Sequence, residues 1–177
     1  MEPVLLIFSG LPGVGKTTIA KLMAEALRAV YLRADTIEQA LRHGGVDEVG
    51  GLGYGVGYAL ATENLRLGRS VVADSVNPWP LTREAWRDAA RRAGHHFFDV
   101  EVVCSDLAEH RRRVESRVSD VPGLVGPDWD AVIGRDYKEF VPAVDGRYLR
   151  VDTAPSDLGF TLETLCAELW IHSGIER

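Results

Sequence analysis

Apolar and polar positions alternate along this chain in two rhythms. Short apolar runs at Val4 to Phe8, Val30 to Arg33, Val71 to Ala73, Phe97 to Val103 and Tyr148 to Val151 are rich in β-branched or aromatic residues. Most end at a polar residue or glycine, which predicts five strands. Between them the period lengthens to that of a helix. The clearest case sets Ile19, Leu22, Met23, Ala26 and Leu27 at i, i+3, i+4, i+7 and i+8, a stripe that packs on a sheet. Thr36 to Gln39 has capping-box spacing, so a helix is expected to begin near Thr36, with Asp35 closing the strand before it. Thr82 is expected to cap a helix from Arg83 to Ala93, and Leu158, Leu162, Leu165, Cys166 and Leu169 mark a last helix after Pro155.

Strands alternating with helices predict an α/β fold whose parallel sheet is covered on both faces. The 177 residues, 46% of them hydrophobic, fit one domain over residues 1–177, and no repeat or long linker divides them. Two glycine-rich islands stand out, Gly44 to Gly57 and Pro122 to Pro127. The first lacks G-x-G-x-x-G spacing and is no dinucleotide fingerprint. Both are expected to form mobile loops over a site.

Charge narrows the partners. With 20 basic and 26 acidic residues the formal charge is −6, which disfavours a long nucleic-acid duplex but leaves a strand end open. Cys104 and Cys166 show neither C-x-x-C pairing nor zinc spacing and read as core thiols. His95 and His96 lack a ligand partner at helical spacing. No basic n-region opens the chain, and the run Val4 to Phe8 is too short to span a membrane; a cytoplasmic location without membrane association is expected.

One motif carries most of the chemistry. Gly10-Leu11-Pro12-Gly13-Val14-Gly15-Lys16-Thr17 fits G-x-x-x-x-G-K-[ST] directly after an apolar strand and directly before an amphipathic helix. The glycines let successive backbone N–H groups turn towards phosphates, and the helix N-terminus adds its partial positive charge. Lys16 supplies a mobile cation for the β- and γ-phosphates and Thr17 a hydroxyl for Mg²⁺; Thr18 adjoins them. ATP with Mg²⁺ is therefore the expected cofactor pair. No guanine-reading N-K-x-D is present, since Asn64 and Asn77 are followed by leucine and proline.

Gly10 to Thr18, Tyr31-Leu32-Arg33-Ala34-Asp35 and Val71-Val72-Ala73-Asp74 resemble the small P-loop kinases. That group includes gluconate kinase, adenylylsulfate kinase, polynucleotide 5′-kinase, chloramphenicol phosphotransferase and zeta toxins, and the many bacterial "AAA family ATPase" or "predicted kinase" proteins are the most alike. The resemblance implies a three-layer P-loop NTPase fold with strand order 2-3-1-4-5 and a lid around residues 106–127. It also implies that Asp35 is the general base for an acceptor hydroxyl, roughly 10 Å from the loop at ~4.8 Å per strand. An N-cap role for Asp35 is the alternative. Asp74 ends its strand in the manner of a carboxylate that holds Mg²⁺ or acceptor.

The helix near residue 106 carries Arg113 and Arg117 at i, i+4, a face that clamps a transferring phosphoryl group or else a solvated face of Glu109–Arg113 and Arg111–Glu115 pairs. Arg33, Asn77, Arg135 and Tyr137 are further acceptor candidates, each with a plain structural alternative: a strand-edge charge, an Asx turn before Pro78, or a surface helix. The expected activity is transfer of the γ-phosphate of ATP to a hydroxyl of a small molecule. A polynucleotide 5′-hydroxyl kinase, or a nucleotide-binding regulatory module without acceptor, stands as the alternative.

Overall fold

The structure, a computed structural model, describes residues 2–154 and 158–172; Pro155 lies outside them. Five strands, β1 (Val4–Ser9), β2 (Val30–Arg33), β3 (Val71–Asp74), β4 (His96–Val103) and β5 (Tyr148–Asp152), form one parallel sheet in the order β2-β3-β1-β4-β5. This is the expected architecture. Around it lie α1 (Lys16–Leu27), α2 (Ala34–His43), α3 (Leu52–Arg66), α4 (Pro80–Ala93), α5 (Leu107–Ser116), α6 (Trp129–Ile133), α7 (Pro142–Asp145) and α8 (Leu158–His172).

Strand alternation sorts the core into two halves. Leu6 and Phe8 of β1 turn to one face and pack with Ile19, Ala20, Met23 and Ala24 of α1 and Leu165 of α8. Leu5 and Ile7 turn to the other, against Ala61 and Leu65 of α3 and Trp86, Ala89 and Ala90 of α4. Each large apolar side chain so buried contributes about 1.5–3 kcal/mol. The α1 stripe is rotated from the expected one: Ala20 and Ala24 are buried, whereas Ala26 is exposed. On α8, Leu162, Leu165 and Cys166 meet the core, and the side chains of Leu158 and Leu169 lie outside the described ones.

Three local expectations are corrected. Helix α2 starts at Ala34, one residue after β2, so Asp35 sits inside its first turn and neither ends a strand nor caps the helix; Thr36 caps nothing. Helix α4 begins at Pro80, whose fixed φ suits a first turn, and Thr82 Oγ1 bonds back to the Trp79 carbonyl (2.8 Å). The second part of the first glycine island is not a loop, because Leu52 to Gly57 belong to α3, while Gly44 to Gly51 stay irregular. A Cβ on Gly53 would collide with Glu38 of α2, and one on Gly57 would lie 2.7 Å from the Trp86 ring of α4. The low helix propensity of glycine, about 1 kcal/mol per residue, is offset by these close approaches. The Pro122–Pro127 island remains irregular.

Parallel strands bring their C-terminal ends to one rim. Phe8 and Arg33 are both in register with Asp74, so β1, β3 and β2 finish side by side, and the N-termini of α1 and α2 open onto that edge.

Candidate functional site

The loop between β1 and α1 is built around glycine backbone that no other residue type replaces without strain. Gly10 (φ 141°) accepts no Cβ, because one would run into the Val102 carbonyl of β4, and its N–H bonds Val76 O (3.1 Å). Gly13 (φ 86°) and Gly15 (φ 96°) are left-handed, and a Cβ on Gly13 would lie 2.5 Å from Val114. Distant residues brace the loop from outside: His110 Nε2 donates to Pro12 O (2.8 Å) and Thr153 Oγ1 to Val14 O (2.7 Å), where Val14 itself is buried. Helix α1 has no side-chain cap and no acidic residue in its first turn, which leaves its first N–H groups and dipole for an anion.

Lys16 is buried, with Nζ 3.0 Å from Leu11 O. Burial pushes its pKa down, while Asp74 and Asp35 pull it up. Thr17 Oγ1 donates to Asp74 Oδ2 (2.7 Å), and Tyr31 Oη donates to the same oxygen (2.7 Å). Burial and Asp74 together drive the Tyr31 phenol far above its ordinary value, so Tyr31 stays a proton donor to that carboxylate. A hydroxyl and a carboxylate held this close form the hard-oxygen pair that Mg²⁺ keeps beside phosphate oxygens, and Thr17 and Asp74 fit that ion.

Around them runs a network that sequence reading missed. Arg33 is buried and is not a strand-edge charge: its Nη1 bonds Asp120 Oδ1 (2.6 Å), its Nη2 bonds Asp35 Oδ2 (3.2 Å), and its Nε lies 4.0 Å from Asp74 Oδ2. Lys21 Nζ reaches the other Asp120 oxygen (2.5 Å), and these two cations hold the Asp120 carboxyl well below the usual range. Glu38, half-buried one helical turn beyond Asp35, is shifted up by burial and by Asp35, with Arg42 drawing it back.

The loop stands between two chambers. A cleft of about 900 Å³ is walled by Lys16, Thr17, Asp35, Glu38, Asp74 and Arg135 among others. A second of about 630 Å³ lies on the far side, walled by Thr18, Leu22 and Arg113 among others. Gly13, Lys16, Thr17 and Arg117 face both, whereas Asp35 and Arg135 face only the first.

Other candidates are placed elsewhere. Arg113 and Arg117 do not share a helical face, because α5 ends at Ser116 and Arg117 is extended (φ −69°, ψ 126°). Arg113 is committed to Thr153 Oγ1 (2.8 Å), Thr153 O (3.0 Å) and Glu109 (2.7 Å), and the Arg111–Glu115 pair also forms. Asn77 is not an acceptor ligand: in left-handed backbone (φ 47°), its amide donates to Ser9 Oγ (3.0 Å) and Phe8 O (3.3 Å), and its Oδ1 accepts from Trp86 Nε1 (3.1 Å). Tyr137 turns away from the cleft to bond Glu101 Oε1 (3.3 Å). Ser75 and Arg42, which line the cleft, carried no motif; the i, i+4 spacing of Glu38 and Arg42 was the one available hint.

The family described as an AAA domain matches residues 5–125. No curated protein matches the sequence. Among solved structures, a candidate kinase from Chloroflexus aurantiacus j-10-fl is similar at a TM-score of 0.73 and 24% identity, over 99% of this chain and 100% of that one. The APS kinase of Mycobacterium tuberculosis, in complex with AMPPNP and APS, gives a TM-score of 0.65 at 20% identity, over 95% of this chain and 98% of that one. A gluconokinase from Sinorhizobium meliloti 1021 gives 0.64 at 19%, over 97% and 98%. At such identity the likeness establishes a kinase-like P-loop fold.

Proposed function

The chain belongs to the AAA-domain family, and on that premise we propose that it is an ATP-dependent phosphotransferase acting on a hydroxyl of a small molecule. The supporting observation is the pair of chambers that meet at Gly13, Lys16, Thr17 and Arg117, with Asp35 facing only the larger of the two. A hydrolase needs one chamber and water; two chambers joined at a phosphate loop suit transfer between two bound molecules.

In this reading ATP lies along Gly10, Pro12, Gly13, Val14 and Gly15, with Thr17 and Thr18 at its phosphates. The acceptor oxygen attacks the γ-phosphorus as its proton passes to Asp35, the bond from that phosphorus to the β-bridging oxygen breaks, and ADP leaves. Arg33 Nη2 lies 3.2 Å from Asp35 Oδ2 and holds that carboxylate in position. Thr17 and Asp74 would hold Mg²⁺, whose charge offsets that of the phosphates when bound. Lys16 and Arg117 follow the negative charge as it moves to the leaving oxygen.

Arg113, tied to Thr153, positions the start of the lid, and Arg117 is the cation that closes. The lid is the irregular stretch 117–127, whose Val118 and Val125 are 90% exposed and are covered when it shuts. Among the described residues no helix is long and apolar enough to cross a membrane. Together with the overall negative charge, this suits small dissolved acceptors in the cytoplasm better than nucleic acid. The test is transfer of ³²P from [γ-³²P]ATP over pooled metabolites, antibiotics and 5′-hydroxyl oligonucleotides. A labelled small molecule is expected; label only in phosphate, with no acceptor, returns the chain to a nucleotide hydrolase.

A further inference from the structure

Five basic side chains wall the larger cleft, and three of them already have partners within the protein. Lys16 bonds the Leu11 carbonyl, Arg42 pairs with Glu38 at 3.6 Å, and Arg111 pairs with Glu115 at 2.7 Å. Among the described residues, Arg117 and Arg135 have no ion pair or hydrogen bond from their guanidinium groups. Arg117 also lines the smaller chamber and is accounted for by the phosphates in the proposed reaction. Arg135 lines the acceptor side alone, close enough to Glu38 for its charge to be felt there.

Its backbone is fixed although its guanidinium is not. Arg135 N bonds Val132 O (3.3 Å) at the end of α6, Asp136 takes the Trp79 indole N–H (2.9 Å), and Lys138 N bonds Pro78 O (2.8 Å). A free cation on an anchored segment is poised for a ligand at little ordering cost.

Ser75 provides an independent observation. It directly follows Asp74, is 4% exposed and lines the same cleft, and its Oγ has only the Tyr54 hydroxyl beside it, with no hydrogen bond of full geometry. A buried hydroxyl so weakly satisfied costs up to about 1–3 kcal/mol, and a ligand hydroxyl in the cleft would reduce that cost.

We propose, building on the kinase reading, that the acceptor is a small polyhydroxylated anion, with one hydroxyl bound by Ser75 and its carboxylate or phosphate bound by Arg135. The cleft of about 900 Å³ admits a molecule of sugar-acid or sugar-phosphate size beside the phosphate loop. Asp35 then meets a hydroxyl of a ligand whose charged end is drawn away from that carboxylate and towards Arg135. This arrangement orients the acceptor.

The test compares a matched set: a neutral hexitol, the corresponding hexonate and a hexitol phosphate. Binding is read by calorimetry with AMPPNP present, and transfer is read separately with [γ-³²P]ATP. One or both charged compounds should bind at millimolar concentration or better, and the hexitol at least about tenfold more weakly. Arg135→Gln should weaken the charged compound about 10–100-fold, and where transfer occurs the change should fall on KM more than on kcat. Ser75→Ala should weaken charged and neutral compounds alike.

Preference for hexonate over hexitol phosphate, or the reverse, identifies the anionic group. Binding of a charged compound that Arg135→Gln abolishes supports the anion site even if no label is transferred, in which case the kinase reading fails alone. Binding of neither charged compound, or equal binding of all three that Arg135→Gln leaves unchanged, overturns the proposal, whether or not a neutral acceptor is phosphorylated.

Discussion

Arg33 at the rim and Arg83 on the buried face of α4 are both arginines paired with aspartates, but their surroundings differ. Arg83 is closed on every side: Nη1 meets both Asp145 oxygens (3.0 and 2.9 Å), Nε meets Asn77 O (3.2 Å), Nη2 meets Lys138 O, and the Phe140 ring lies 3.8 Å away. Arg87 extends the network from Asp145 (3.2 Å) to Asp99 Oδ2 (2.9 Å), and Asp99 Oδ1, fully buried, is its one atom left without a partner among the described residues. Arg33 is left open, with Nε lacking a hydrogen bond and with partners, Asp35 and Asp120, whose side chains are 43% and 49% exposed. A closed network holds shape, whereas an open one presents groups that a ligand reaches. The first ties the 138–145 segment to α4, and the second aims Asp35 into the cleft.

The largest expected effect falls on the open network and should leave the fold untouched. Asp35→Asn keeps size and polarity but accepts no proton, so phosphoryl transfer should drop by ~10²–10⁴ with unchanged ATP affinity and melting temperature. Normal transfer by that variant would move the base to Asp74. On the closed side, Asp145→Ala leaves Arg83 and Arg87 buried without their shared carboxylate. Denaturant melts should show a loss of about 3–5 kcal/mol, with turnover per folded molecule nearly preserved. If turnover collapses instead, the two networks are not separable.

Lys16→Ala tests the loop that the open network serves. Turnover should fall by about 10²–10³ with an unaltered circular dichroism spectrum, and a folded variant that keeps more than a tenth of the activity would break the phosphate-loop assignment.

A pH titration sharpens the contrast more gently. Burial raises Asp99, in the closed network, to about 6, whereas Lys21 and Arg33 depress Asp120 in the open one. Between the unfolded value near 4 and about 6, folded Asp99 keeps a proton that the unfolded chain has lost. Its contribution to stability therefore falls as pH rises through that window and then levels off. Asp120 has the opposite sign: its contribution is present above pH ~4 and is lost as pH falls below it. Carboxyl NMR should give Asp99 a midpoint near 6 and show no titration of Asp120 between pH 4 and 8, and Asp99→Asn should flatten the stability slope. The smallest change is expected from Asp120→Asn, about 1 kcal/mol or less, because Asp120 is half-exposed and Arg33 keeps its contact with Asp35.

What was legible in the sequence was what neighbouring residues decide together. Gly10 to Thr17 is contiguous, and its strand and helix flanks follow from local period, so the loop and the five strands were readable. Asp35 was misplaced because Thr36 and Gln39 imitate a cap, while Ala34 simply continues β2 into a helix. The glycines of α3 read as a loop because their compensation lies in Glu38 and Trp86, far along the chain. Asn77 looked available for the same reason: Phe8, Ser9 and Trp86 take up its amide only once β1, β3 and α4 have assembled. Arg117 parted from Arg113 because α5 stops at Ser116, a boundary that no capping residue announces.

The braces of the phosphate loop have a consequence for how the chain acquires its activity during synthesis. Thr17 leans on a residue 57 positions later, Pro12 on one 98 later and Val14 on one 139 later. The central strand β1 leaves the ribosome first but pairs with β3 and β4, which emerge long afterwards. Such long closures are slow and come late. A nascent chain extending only as far as α5 would carry the full eight-residue motif yet lack the Thr153 contact that holds Val14. Capture of nucleotide should therefore lag behind synthesis of the motif by most of the chain, and nucleotide retention on stalled ribosomes would serve as a clock for the final docking of β5.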